Sequence, residues 1–323
     1  MRTLSLVSVA LLLTTTLISL VNPPRKRISN GQVTVEVLLP DATNGYYRGA
    51  RFDWAGVVSH LEYRKHTYFG QWNDLYDPTH HDAIMGPVDE FREPLGYEEA
   101  KAGGEFVKVG VGVLNKADDG KYSFGKKYTV TNPGTWEVTS GDDFITFEQD
   151  LRGVSGYSYR YKKTLRLARN QPVLIIDHEL TNTGTKRILT NTYNHNFFMI
   201  DNEPTGPNIR TTFDFEIHGE GRGFGTLANA EGNTLTYLKT LQKGENVFTD
   251  DLRKDKSKPV KYGFAVENTK TGAGVRVKGD KPVDTMIYWS CPTTACPEPY
   301  LNVNLAPGES MDWQISYEFY DKR

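Results

Sequence analysis

Length, composition and charge already define the broad class of this protein. The chain has 323 residues, 38% hydrophobic and 24% charged, as in ordinary globular proteins with enough residues for a sizeable core. Its formal net charge at pH 7 is only −2, so electrostatics do not support nucleic acid as a partner. We therefore expect a small or neutral molecule as the ligand.

The N-terminal segment has the pattern of an export signal. After Met1 and Arg2, residues 4–21 are apolar or hydroxylic throughout and carry no charge. Residues 1–22 are therefore predicted to form a secretory signal or an N-terminal anchor. The Arg-Lys-Arg run at residues 25–27 and a length close to a membrane span favour the anchor, so both interpretations stay open. Either one predicts a periplasmic or secreted protein, with membrane contact only if the segment is uncleaved.

Hydrophobic and polar residues alternate along most of the remaining chain. In residues 159–167 the tyrosines and leucines share one face, whereas the arginines, Lys162 and Thr164 share the other, as in a half-buried strand. Residues 313–319 alternate in the same way. Further strands are predicted at residues 33–39, 57–63, 127–131, 135–139, 144–151, 173–181, 188–199, 210–217, 262–267, 274–278 and 285–289. Many short strands separated by Gly, Asn, Asp and Pro predict an all-β fold, a large antiparallel sandwich.

Two segments of the chain resemble the catalytic segments of a known family. Residues 190–198 read TNTYNHNFF, and residues 295–309 include the strings ACPEPY and LAPGE. Both are similar to segments of the aldose 1-epimerases, the galactose mutarotase-like proteins. The resemblance implies a single β-supersandwich domain over residues 30–323, no cofactor, and His195 and Glu298 as the catalytic residues.

The chemistry of mutarotation explains why a histidine and a carboxylate are needed. Opening a hemiacetal ring requires one group to remove the proton of the C1 hydroxyl and another to protonate the ring oxygen. The ordinary pKa of histidine lies near neutrality, so His195 is the predicted acid and Glu298 the predicted base. Pro297 and Pro299 restrict the backbone on both sides of Glu298, and we expect this carboxylate on a rigid loop. A buried histidine in an aromatic core is the alternative for His195.

Five further residues are candidates to contact a sugar or sugar derivative. Arg48 and Arg51 surround a Gly-Ala turn, and a guanidinium can hydrogen-bond two hydroxyls or a carboxylate. A solvated turn or a surface ion pair is the alternative for both. Glu90 and Arg92 belong to a polar loop between prolines that would line a cleft. Trp289 would stack on a pyranose face, although a tryptophan on a strand is more often part of the core.

One histidine of the galactose mutarotases is missing from this chain. Where that family carries an HGF segment, residues 123–128 read SFGKKY. Lys126 or Lys127 would take the place of that histidine, and a cation there would favour an acidic or oxidised sugar. The departure puts galactose in doubt as the substrate, and the sequence does not identify the sugar.

Neither the clustered histidines nor the cysteines predict a metal site. In the run His80-His81-Asp82, adjacent side chains of an extended chain point to opposite faces. Cys291 and Cys296 have no further Cys or His ligand beside them. In an oxidising compartment the two cysteines would form a short local disulfide in their proline-rich loop. Two free buried thiols are the other interpretation.

Two classes of function therefore remain. The first is an exported aldose 1-epimerase-like isomerase that acts on a free sugar or small sugar derivative. The second is a non-catalytic carbohydrate-binding protein or a polysaccharide lyase-like protein, because one fold can carry several functions. A binding protein needs aromatic surfaces but no acid–base pair, so His195 and Glu298 together favour the enzyme.

Overall fold

Antiparallel strands make up nearly all of the regular structure in the computed structural model, which describes residues 22–74 and 76–323. Among those residues, one short 3₁₀ turn, Ile200–Asn202, interrupts the strands. The strands are β1 (Arg25–Ser29), β2 (Val33–Leu38), β3 (Val57–Tyr63), β4 (His66–Thr67), β5 (Val88–Phe91), β6 (Glu105–Lys108), β7 (Gly112–Asn115), β8 (Val130–Asn132), β9 (Thr135–Ser140), β10 (Phe144–Leu151), β11 (Tyr159–Leu167), β12 (Val173–Asn182), β13 (Ile188–His195), β14 (Ile209–Phe213), β15 (Ala228–Glu231), β16 (Thr234–Tyr237), β17 (Val247–Thr249), β18 (Val260–Asn268), β19 (Ala273–Val283), β20 (Thr285–Cys291), β21 (Thr294–Leu305) and β22 (Ser310–Asp321). The all-β prediction is confirmed.

The strands pair antiparallel into four sheets. The largest has ten strands in the order β15-β16-β14-β18-β19-β22-β12-β11-β10-β9, and a second has five in the order β17-β20-β21-β13-β5. One hydrophobic core joins these two sheets, since it contains Tyr317 of β22 together with Met286 of β20 and Val303 of β21. Strands β1–β4 and β6–β8 form two smaller sheets. The result is the large antiparallel sandwich that the alternating pattern predicts.

The alternation along β11 is observed as predicted, and it places a charge in the core. Tyr159, Tyr161, Leu165 and Leu167 are all buried. Lys163 lies between them on the same face and is completely buried. Because a buried ammonium group is costly unless it is paired, Lys163 requires acidic partners inside the protein.

Strand β21 is the main departure from the sequence prediction. Its twelve residues, Thr294–Leu305, form an inner strand between β20 and β13, whereas we expected Glu298 on a loop. Two prolines misled the prediction because proline has no N–H for a sheet ladder. The neighbouring strand β13 is also shorter than expected: it ends at His195, and Phe197 then adopts a positive φ of 40°. Both irregularities lie beside the predicted catalytic residues.

The two cysteines are not bonded, so the disulfide prediction is wrong. They lie on the two strands of the β20–β21 hairpin, where Cys291 pairs with Thr294 and Cys296 pairs with Trp289. The cysteines are thus diagonal neighbours, typically about 7–8 Å apart between Cα atoms. A disulfide requires Cβ atoms about 4 Å apart, which this register does not provide.

The predicted export segment falls almost wholly on residues 1–21, which lie outside the described residues. Its two interpretations therefore stay predictions. Within the described part of the chain, no helix has the length and hydropathy that a membrane crossing requires.

Candidate active site

The fold brings His195 and Glu298 into contact although about a hundred positions separate them. His195 ends β13 and Glu298 lies within the neighbouring strand β21, which pairs with β13 up to Tyr193 and Tyr300. Because side chains alternate along a strand, the next pair on the same face is His195 and Glu298. His195 Nε2 lies 3.3 Å from Glu298 Oε1, and both residues are buried. The predicted acid and base therefore form one pair.

The pair lines a cavity of about 310 Å³ on one face of the five-stranded sheet. The cavity contains the predicted residues Arg51, Glu90, Arg92 and Trp289 in addition to the pair. Its remaining lining residues are Trp72, Asp82, Phe124, Tyr193, Phe197, Phe248, Asp250, Ile287 and Tyr300. Six of the seven residues proposed from sequence thus converge on one site.

Arg48 is the predicted site residue that lies elsewhere. It borders a separate surface depression together with Tyr46 and Tyr76, whose rings stack 4.6 Å apart. Its Nη1 donates a hydrogen bond to the backbone oxygen of Thr43, 2.7 Å away. Only Gly49 and Ala50 separate Arg48 from Arg51, yet the two arginines border different depressions. The structure therefore does not support a contact between Arg48 and a ligand of the His195 cavity.

Aromatic rings hold the His195 imidazole in one orientation. The ring stacks on Phe197 with a centroid separation of 3.7 Å and an angle of 7°. Phe52 and Trp289 each meet it edge-on at 5.7 Å. Its Nδ1 is buried and has no hydrogen-bond partner among the described residues. Only Nε2 therefore faces a protein group with which it can exchange a proton.

Burial determines where the proton of the pair resides. It lowers the pKa of His195 well below the usual value, and the nearby positive charge of Arg51 lowers it further. Burial also raises the pKa of Glu298 to about 8. Near neutral pH the imidazole is therefore neutral and the carboxyl is protonated. This state has the same number of protons as the predicted acid–base state, in which histidine is cationic and glutamate anionic, but the proton is on the opposite partner.

Arg51 organises one wall of the cavity through three hydrogen bonds. Its Nε donates to Glu90 Oε2 at 2.7 Å, its Nη1 to Asp82 Oδ1 at 2.7 Å, and its Nη2 to the Tyr193 hydroxyl at 3.0 Å. Glu90 also accepts hydrogen bonds from Tyr193 and from Lys108 Nζ, the latter at 3.1 Å. Both oxygens of Glu90 are thus engaged by protein groups, and Glu90 holds Arg51 in the cavity wall.

Asp82 was considered from sequence only as part of a metal cluster, and the structure gives it a different role. Burial acts to raise its pKa, but the hydrogen bond from His81 and the charge of Arg51 lower it to about 2. The His81 Nε2 atom lies 3.2 Å from an Asp82 oxygen. Among the described residues, no group of three or more His, Cys, Asp or Glu side chains is arranged to hold a metal ion. Asp82 is an anion of the cavity wall.

Arg92 and Asp250 line the solvent-exposed rim of the cavity. The Arg92 guanidinium lies over the Tyr300 ring, 5.8 Å from its centroid, and Tyr300 stacks on Tyr193 at 4.3 Å. Among the described residues, neither Arg92 nor Asp250 has an oppositely charged side chain within salt-bridge distance. Both are therefore free to hydrogen-bond the hydroxyl groups of a ligand.

The segment that replaces the missing family histidine contributes an aromatic ring rather than a cation. Lys126 pairs with Asp118, and Lys127 Nζ lies 2.6 Å from Asp77 Oδ2, both on the surface. Neither lysine lines the cavity. Phe124 does, and its ring centroid lies 4.3 Å from the Arg51 guanidinium carbon. The prediction that Lys126 or Lys127 replaces the histidine is therefore wrong, because nearby aspartates hold both side chains outside.

Solved structures of mutarotase-like proteins share this architecture. A galactose mutarotase related enzyme from Lactobacillus acidophilus superposes with a TM-score of 0.57 and 12% identity, over 92% of this chain and 98% of the other. For an aldose epimerase homologue from C. elegans the TM-score is 0.55 and the identity 13%, over 93% and 99%. A galactose mutarotase-like protein from Lactobacillus casei gives 0.54 and 13%, over 92% and 100%. This chain has the galactose mutarotase-like fold. No protein-family model and no curated protein sequence matches it by sequence.

Sequence reasoning missed several residues of the cavity in this mutarotase-like fold. Tyr193 and Tyr300 were available from the same alternation that defines the strands, since each lies two residues from a predicted catalytic residue and shares its face. Asp82, Phe124 and Asp250 lie on loops, and no periodic signal identifies them. Their contribution depends on how the loops fold against the face of the sheet.

Proposed function

We propose that this protein is an exported aldose 1-epimerase-like isomerase that interconverts sugar anomers by general acid–base catalysis without a cofactor. The observation that carries the proposal is the contact of 3.3 Å between His195 Nε2 and Glu298 Oε1 in a cavity of about 310 Å³. Ring opening needs one proton acceptor and one proton donor close together, and this pair provides both within one site.

The reaction begins with a proton shift within the pair. Transfer of the Glu298 proton to His195 Nε2 gives a carboxylate and an imidazolium. Glu298 then removes the proton of the C1 hydroxyl while His195 protonates the ring oxygen, and the bond between C1 and the ring oxygen breaks to give the aldehyde. This step returns the pair to its neutral state, with the proton on Glu298. Rotation about C1–C2 and the reverse transfers close the ring as the other anomer.

The remaining walls suit a small polyol. The volume of about 310 Å³ is at the small end of the range for ligand pockets, which favours a single sugar unit over a long oligosaccharide. Trp289 and Tyr300 present apolar ring surface, whereas Arg92 and Asp250 offer hydrogen-bond donors and acceptors. A sugar has this combination of apolar faces and hydroxyl edges.

The decisive test is the rate of anomer exchange. Saturation-transfer or exchange NMR would follow the α and β anomers of neutral, acidic and aminated monosaccharides with wild-type protein, His195→Asn and Glu298→Gln. We expect acceleration by the wild type and a loss of about 10²–10⁴ in kcat for each variant. Circular dichroism would establish that the variants keep the fold.

Two outcomes would contradict the proposal. If the wild type accelerates none of these exchanges but binds oligosaccharides, a carbohydrate-binding protein becomes the better interpretation. If it instead cleaves an acidic polysaccharide with release of unsaturated ends, the lyase-like alternative holds.

Export is part of the proposal because the uncharged run of residues 4–21 has the composition of a signal. N-terminal sequencing of protein from the periplasmic or secreted fraction would test it. We expect a mature chain that begins after about residue 21 if the signal is cleaved. Intact Met1 in a soluble cytoplasmic pool would contradict export.

A further inference from the structure

The catalytic pair lies in a gap in the main-chain pairing between β13 and β21. The ladder runs from Ile188 opposite Leu305 to Tyr193 opposite Tyr300 and then stops. It resumes with a single bridge between Phe198 and Ala295, whose backbone N–H and carbonyl groups meet at 3.3 Å in both directions. The register on both sides of the gap is the same, so His195 is opposite Glu298 within it.

Proline and a left-handed residue account for the gap. Pro297 and Pro299 have no N–H groups, so β21 offers fewer donors here. Just after β13, Phe197 has a φ of 40°, which is unusual for a residue with a Cβ and takes the chain out of the extended conformation. The backbone ladder therefore does not hold the two strands together at the position where the distance between His195 and Glu298 is set.

A buried asparagine side chain supplies the missing link. Asn196 Nδ2 donates a hydrogen bond to the backbone oxygen of Pro297, 2.7 Å away. This joins the residue after His195 directly to the residue before Glu298. Asn194, on the other side of His195, donates from Nδ2 to Asp89 Oδ1 at 3.1 Å. Both asparagines are buried and neither lines the cavity.

A tyrosine from the opposite sheet lies between the two asparagines. The Tyr317 hydroxyl of β22 lies 2.5 Å from Asn194 Oδ1 and 2.9 Å from Asn196 Oδ1. Its single proton can be donated to one of these oxygens at a time, and the shorter distance favours Asn194. The ten-stranded sheet thereby contacts the chain on both sides of His195.

A network of buried charged residues contacts Asn194 through Asp89. Asp89 lies 2.6 Å from Lys163 Nζ and 3.0 Å from His178 Nε2. Lys163 also lies 3.3 Å from Asp53, which accepts a hydrogen bond of 2.9 Å from Tyr161. Asp89 thereby joins the Asn194 side chain to buried charged groups of the ten-stranded sheet.

We propose that Asn194, Asn196 and Tyr317 are positioning residues that set the separation of His195 and Glu298 across the gap in the ladder. The inference rests on the proposed function, because a fixed separation matters only if the pair exchanges protons with a substrate. The three residues act through the backbone and contact no substrate. A displacement of about 1 Å in such a pair can lower the rate about 10²-fold.

Tyr317→Phe is the main test because it removes only the hydroxyl that faces the two asparagines. Tyr237→Phe is the matched control: its hydroxyl lies 2.8 Å from that of Tyr288 and also links the two sheets, but neither residue lines the cavity. We expect Tyr317→Phe to lower kcat for anomer exchange about 10- to 100-fold with little change in KM, and Tyr237→Phe to leave both unchanged. Asn196→Ser, if it folds, should lower kcat at least as much.

A readout independent of activity separates this inference from the proposed function. NMR titration of the His195 ring nitrogens reports its contact with Glu298, and we expect the titration curve to shift in Tyr317→Phe and to match the wild type in Tyr237→Phe. If the wild type catalyses no anomer exchange but this selective shift occurs, the positioning role holds and the proposed function fails. If the wild type is active and Tyr317→Phe keeps both its kcat and the wild-type titration, the positioning role is overturned. Equal losses in Tyr317→Phe and Tyr237→Phe would also overturn it.

Discussion

Two buried glutamates line one cavity from the two strands that flank β13, and their surroundings give them different chemistry. Burial acts to raise the pKa of Glu90, but Lys108 and Arg51 outweigh it and hold that pKa below the usual value. Among the described residues, no Lys or Arg side chain forms a salt bridge with Glu298, and burial raises its pKa to about 8. The same side chain is therefore a permanent anion in the Arg51 wall and a proton donor in the His195 wall. The difference shows that the partners of a buried carboxylate, rather than its depth, decide its role.

The largest effect is expected at Glu298, where a substitution should lower the rate of anomer exchange without lowering stability. In Glu298→Gln we expect kcat for anomer exchange to fall by about 10²–10⁴, because the amide cannot exchange a proton. The free energy of unfolding in urea at pH 7 should not fall, since the wild-type carboxyl is already neutral there. NMR exchange and urea unfolding measure the two quantities. A stability loss at pH 7 comparable to that of a broken ion pair would contradict a neutral Glu298.

Glu90→Gln, in contrast to Glu298→Gln, should lower the free energy of unfolding. The change leaves Lys108 without its acidic partner in the protein interior, and breaking a buried pair costs about 3–5 kcal/mol. We expect urea unfolding to reveal a loss of this order. Glu137→Gln on the exposed face of β9 is a suitable control and should change stability by less than about 0.5 kcal/mol. Equal stability of Glu90→Gln and the control would show that the Arg51 wall does not depend on its charge.

The pH dependence of stability sharpens the comparison. Glu298 has a pKa of about 8 when folded and about 4.5 when unfolded, so its stabilising effect is complete below pH 4.5 and is lost as the pH rises through 8. The loss amounts to at most about 1.4 kcal/mol per pH unit. The lowered pKa of His195 adds no slope above its unfolded value of 6.5. Urea unfolding between about pH 7 and 8 should show this slope in the wild type and not in Glu298→Gln. Identical slopes would contradict the raised pKa.

The smallest effect is expected outside both walls, at Lys127. Its ion pair with Asp77 is exposed and does not reach the cavity. Exposed pairs contribute little, so Lys127→Ala should keep kcat and KM within about twofold of wild type for neutral and acidic sugars. A selective loss of activity toward acidic sugars would mean that Lys127 contacts the substrate.

Sequence patterns predicted those features of the protein that are set by residues close together along the chain. Alternation located most strands of the large sheet, and the segment around His195 was recognised from nine consecutive residues. The same approach failed where a local signal pointed the wrong way. Pro297 and Pro299 indicated a loop, yet they occupy an inner strand whose missing donors are compensated by Asn196. Asp82 stood out in the sequence only as a neighbour of two histidines, and its contact with Arg51 joins residues that are distant along the chain.

The sequence by itself determined the sandwich architecture and singled out the pair His195 and Glu298 as candidates for the acid and base, because strand periodicity and short motifs are local properties of the chain. Tertiary structure alone decided how that pair is protonated and which residues hold it. The pKa of Glu298 depends on burial by residues from several strands, and the position of His195 depends on Tyr317 from the opposite sheet. Such effects act over a few ångströms in space between groups about a hundred positions apart, so no pattern of neighbouring residues contains them.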